Sequence, residues 1–143
     1  MERGEKMTTT IKPELSKKSK YWIERHRYYE LKHFCLQYPI WEKAYHGLDG
    51  LSRQKLSDIP FPKNVSDPTA RVAMAKMRYL MWMKLVEDAA KATDEEFQEY
   101  ILTAVTTGKT YDKMNAKTPL PYSRDAFYKM YRKFFYILNH SRN

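Results

Sequence analysis

Four glycines in 143 residues leave few positions where the chain can turn through left-handed backbone. That scarcity, together with many Lys, Glu, Met, Leu and Ala residues, favours helices over sheets. The single cysteine, Cys35, excludes an internal disulfide and suits a reducing cytoplasm. No apolar run approaches the roughly 18 residues of a membrane span, so no membrane partner is expected. The first 20 residues are charged and have no apolar stretch, which is unlike a secretory signal. No phosphate-binding loop, dinucleotide fingerprint or nucleophile elbow is present. No residue stands out as a nucleophile or general base, so neither an enzyme nor a cofactor is expected. His26 and His33 share a helical face near Glu30, but no Cys/His set completes four metal ligands. Packing is the better reading of both histidines, and Cys35 reads as a small hydrophobe.

What the chain has in excess is positive charge, unevenly placed. The net charge is +9. Residues 109–143 hold eight basic and two acidic side chains, whereas residues 85–108 hold one basic and six acidic. Clustered positive charge points to a polyanionic partner. A basic surface kept for solubility explains the total equally well, so charge alone leaves both open.

Periodicity and punctuation predict an all-α protein of five to six helices. Residues 1–19 read as a disordered arm. Residues 20–62 read as an N-terminal helical segment, with a helix over 20–37 ending before Pro39 and a shorter one to Gly47. Pro60 and Pro62 interrupt a turn-rich stretch that still carries Leu48, Leu51, Leu56, Ile59 and Phe61. Residues 63–143 read as a second helical domain. Its first helix starts at Asp67-Pro68 and runs to Ala92 with a wide apolar face. The methionines Met74, Met77, Met81 and Met83 on this helix are expected to fill an irregular core; a sticky partner groove is the competing reading. Thr93 and Glu96 form a capping-box pattern for an acidic helix that Gly108 ends. A short helix over residues 111–116 follows Thr110, and Ser123 caps a last helix from Arg124 to about Leu138.

These last elements form a C-terminal helix-turn-helix pattern, expected to pack on the longer central helix and the N-terminal helical pair. In the last helix Phe127, Met130, Tyr131, Phe134, Ile137 and Leu138 recur at core spacing. Ser123, Arg124, Tyr128, Lys129, Arg132 and Lys133 are left as an outward face suited to DNA. Arg124 suits guanine, Lys129 and Arg132 suit bases or phosphates, and Lys113 and Lys117 suit phosphates. A solvated basic face on a terminal helix has the same pattern. The Tyr- and Trp-rich stretches YWIERHRYY and QYPIWEKAY fit a core or a dimer seam better than base stacking.

The order SDPTARVAM, a long helix, an acidic helix ending in AVTTGKTY, and then PYSRDAFYKMYRKFFYIL resembles the phage RinA/ArpU-type transcriptional regulators. The likeness covers residues 65–140. It implies a helix-turn-helix similar to the fourth region of bacterial sigma factors, with residues 111–117 supporting and 123–133 reading promoter DNA. It further implies regulation of phage or prophage late genes in the cytoplasm of a bacterial host. Double-stranded DNA would be the partner, with host RNA polymerase and a homodimer as further associations. The turn KTPLPY is longer and richer in proline than the family pattern. The alternative is a phage assembly or interaction factor, such as a small terminase subunit or an inhibitor of a host nucleoprotein.

Overall fold

The computed structural model describes residues 17–48 and 67–142. Among these residues every regular element is a helix, and the fold is all-α. The six helices are α1 (Arg25–Leu36), α2 (Tyr38–Gly47), α3 (Pro68–Thr93), α4 (Gln98–Thr107), α5 (Tyr111–Lys117) and α6 (Arg124–Ser141). The expected arm over residues 1–19 is described only from residue 17, where turns begin. Leu51, Leu56, Ile59, Phe61 and the prolines between them lie outside the described residues.

Punctuation sets most of the helix ends. Asp67 accepts from the Thr69 amide (3.1 Å), and Pro68 opens α3 where a missing N–H costs nothing. Gly108 ends α4 at φ 73°, the left-handed backbone that glycine adopts without a Cβ clash. Two expected starts are corrected. Helix α1 begins at Arg25, five residues late, because a turn on Ser19 (Trp22 N to Ser19 O, 3.2 Å) holds the chain out of helix. The Glu24 carboxylate then caps, accepting from the amides of His26 (3.0 Å) and Arg27 (3.3 Å). Those bonds lower the Glu24 pKa, the His26 amide contributing most. Thr93 does not cap α4: it is the buried last residue of α3, its hydroxyl donating to the Ala89 carbonyl (2.7 Å). Asp94 instead closes the bend before α4, accepting from Glu96 (2.9 Å) and Phe97 (3.2 Å), and the N-cap Phe97 makes no side-chain cap bond.

The described residues divide into two compact units, one formed by residues 17–36 with 85–142, the other by residues 37–48 with 67–84. This division cuts across the expected segments 20–62 and 63–143 and separates the N-terminal helical pair. In the larger unit α6 is the hub, packing on α1, α4 and α5. Its buried face is Phe127, Tyr131, Phe134, Phe135 and Leu138. Burying each such side chain is worth about 1.5–3 kcal/mol. Phe135 meets Tyr28 of α1 edge-on (centroids 5.2 Å), as well as Tyr131 and Phe134 (5.0 Å each). Leu31 and Cys35 of α1 are fully buried beside Tyr28, and burial pushes the Cys35 thiol well above its ordinary range. Arg142 closes the far end of α6 over the Phe34 ring (3.9 Å). Met130 and Ile137, expected in this core, are only half-buried, and Phe135 fills the place.

The smaller unit pairs α2 with the first part of α3. Trp41 is buried and meets Trp82 (5.4 Å), while Lys76 lies over the Tyr45 ring (5.7 Å). Of the four methionines expected in a core, Met83 alone is buried; Met74, Met77 and Met81 are exposed, Met77 and Met81 by more than 60%. Among the described residues α2 covers one side of this part of α3, and these three methionines lie on the other side.

Candidate nucleic-acid interface

The segment from α4 to α6 is held by side chains at each joint. Thr110 caps α5, accepting from the Lys113 amide (3.2 Å), and Ser123 caps α6, accepting from the Ala126 amide (3.2 Å). Each such cap is worth about 1 kcal/mol. Met114 buries the inner face of α5. The six residues 118–123 then form the turn.

Proline alone does not fix this turn. Asn115 accepts from the Leu120 amide (2.9 Å), and the Tyr111 hydroxyl donates to the Tyr122 carbonyl (2.8 Å). The Tyr122 ring packs against Phe97 (4.7 Å) and Tyr100 (5.8 Å) and stacks on Phe127 (6.0 Å, 12° between planes). Its hydroxyl oxygen is buried with no hydrogen-bond partner, and burial, reinforced by Tyr100, Tyr111 and Asp94, pushes it up to about 12. A tyrosine that remains neutral in this way acts as a wedge between α4 and α6.

The residues expected to touch DNA fall into three groups. Ser123, Arg124 and Tyr128 serve the joint between α5 and α6. Ser123 caps; Arg124 pairs with Asp112 and lies over the Tyr111 ring (5.8 Å). Tyr128 is half-buried beside Phe127 (5.0 Å), its hydroxyl accepting weakly from the Tyr111 amide (3.4 Å). Lys113 and Lys117 are exposed and border a groove of about 260 Å³ between α4, α5 and the turn. Lys109 borders the same groove, whose apolar lining includes Met114 and Leu120. Sequence reasoning passed over Lys109, which lies before α5 and its cap Thr110, so no helical spacing marks it.

The third group is Lys129, Arg132 and Lys133 on the outward arc of α6. Lys129 is exposed and the other two are half-buried. None of the three makes an ion pair among the described residues. Tyr136 continues this arc, meeting Tyr21 (5.6 Å) and His140 (4.6 Å). The described residues contain no group of three or more His, Cys, Asp or Glu able to hold a metal, and no helix long and apolar enough to cross a membrane. Chemically, the site offers fixed cations on a rigid helix, suited to an anionic polymer. No protein-family model, curated protein or solved structure matches the chain.

Proposed function

We propose that the chain is a duplex-DNA-binding transcriptional regulator of phage or prophage genes, of the RinA/ArpU kind, and not an enzyme. The observation that carries this reading is the pair α5 and α6, each with its N-cap made, bearing the outward row Lys129, Arg132 and Lys133. A cation with no carboxylate neighbour keeps its full attraction for phosphate, and a rigid helix holds a row of them in register with a backbone. Lys113 and Lys117 supply further phosphate contacts from α5. Arg124 acts as a positioning residue, since its guanidinium is committed to Asp112 and Tyr111. Its role in this reading is to set the α5–α6 angle and not to read guanine.

The test is a titration of labelled duplex with the full chain at about 50 and about 200 mM salt. The reading predicts binding at low salt that weakens by orders of magnitude at the higher salt. Absence of low-salt duplex binding would sink it. Light scattering separates regulation from packaging: a monomer or dimer fits the regulator, and a stable multi-subunit ring fits a small terminase subunit.

A further inference from the structure

We infer that the groove between α4, α5 and the turn is a binding site for a small aromatic phosphate monoester. Its volume of about 260 Å³ falls just under the usual ligand-pocket range of about 300–1,000 Å³, which leaves room for one ring system and one substituent. The floor is apolar: Met114 is buried, and Leu120 and Tyr100 are half-buried. A planar ring laid on this floor leaves water, and contact of the Met114 sulfur with the ring adds to that gain.

The rim is cationic. Lys109, Lys113 and Lys117 are all exposed, and among the described residues none of their ammonium groups has an ion-pair or hydrogen-bond partner. No carboxylate lines the groove. The type of cation narrows the anion. Guanidinium forks, which pair flat against planar carboxylates, are missing from the rim, and three ammonium point charges suit the three terminal oxygens of a phosphate monoester. The exposed Thr103 and Thr118 hydroxyls complete the lining with neutral donors. Floor and rim select together: bare phosphate leaves the floor wet, and an uncharged ring leaves the ammonium groups without an anion. An occupant here would withdraw Lys113 and Lys117 from any DNA phosphate. The site itself does not rest on the duplex-binding reading, because its occupancy is measured without DNA.

The test is isothermal titration of the full chain with 1-naphthyl phosphate. Saturable binding with a Kd below about 1 mM is expected. Inorganic phosphate, which has no ring, and 1-naphthol, which has no phosphate, should each bind at least about tenfold more weakly. The triple variant Lys109→Gln, Lys113→Gln, Lys117→Gln should weaken binding of 1-naphthyl phosphate at least about tenfold. All three positions are exposed and Gln is close to Lys in helix propensity, so the variant keeps its fold. Thr103→Trp, at an exposed position of α4, places a bulky ring in the groove and should weaken binding as much. Any of four results would overturn the proposal: no saturable binding below that limit, inorganic phosphate binding as tightly, 1-naphthol binding as tightly, or affinity unchanged in either variant.

Discussion

Helix α6 and the first part of α3 dispose of their apolar residues in opposite ways. In α6 the aromatic side chains converge on one arc, which three neighbouring helices bury, and the cations are left together on the other. In the first part of α3 apolar residues surround the helix; among the described residues α2 covers one side, and Met74, Met77, Leu80 and Met81 are exposed on the other. The difference teaches that helical periodicity identifies a buried face when the residue types are segregated. It fails when apolar residues run all the way round, because the number of covering elements then decides. Both helices end with a surface left over, a cationic one on α6 and a mixed apolar and cationic one on α3.

The largest test of this contrast is a pair of truncations. Phe135→Ala should cost about 3–5 kcal/mol, because the cavity opens between α1 and α6. Leu80→Ala should change stability by no more than about 0.5 kcal/mol. Denaturant melts of the two variants decide it, and equal costs would erase the distinction between the helices. Next in size is alkaline destabilisation of the larger unit. Burial pushes Tyr131 and Tyr122 from 10.0 up to about 12. Above pH 10 the unfolded chain ionises first, so the stabilisation is complete below pH 10 and is lost as pH rises towards 12. For the buried Tyr131 the loss is on the order of 2–3 kcal/mol. A Tyr131→Phe variant should show a shallower decline in melting temperature over that range; an unchanged decline would contradict this assignment.

Smaller effects probe the joints. Gly108→Ala places a Cβ in left-handed backbone and 3.3 Å from Leu36 Cδ2. It should cost about 1–2 kcal/mol. Ser123→Ala should cost about 1 kcal/mol through the lost cap on α6. A calorimetric ranking with Ser123 above Gly108 would mean that the N-cap of α6 contributes more than the glycine that ends α4.

Much of the fold was legible because it rests on local chemistry. Pro39, Pro68, Gly108, Thr110 and Ser123 each mark a helix boundary by their own backbone or hydroxyl. Thr93 misled, since a threonine three residues before a glutamate is also compatible with a buried helix end bonded to its own preceding turn. Packing of the last helix on the N-terminal pair was expected, but the particular meeting of Tyr28 with Phe135 was not legible, because they lie more than a hundred residues apart and no spacing encodes the encounter. At the candidate site, Lys129, Arg132 and Lys133 lie outward as expected. Arg124 and Tyr128 turn toward α5, and only the position of Asp112 and Tyr111 determines that.

The central claim concerns the outward row of α6, and the salt dependence of duplex binding tests it most directly. Log affinity should fall linearly with log salt for the native chain. In the triple variant Lys129→Glu, Arg132→Glu, Lys133→Glu the slope should shrink by up to about 3, roughly 0.9 for each phosphate no longer neutralised. Arg124→Gln should lower stability and leave the slope nearly unchanged. A slope that is the same in the native chain and the triple variant would contradict the assignment of this face to DNA.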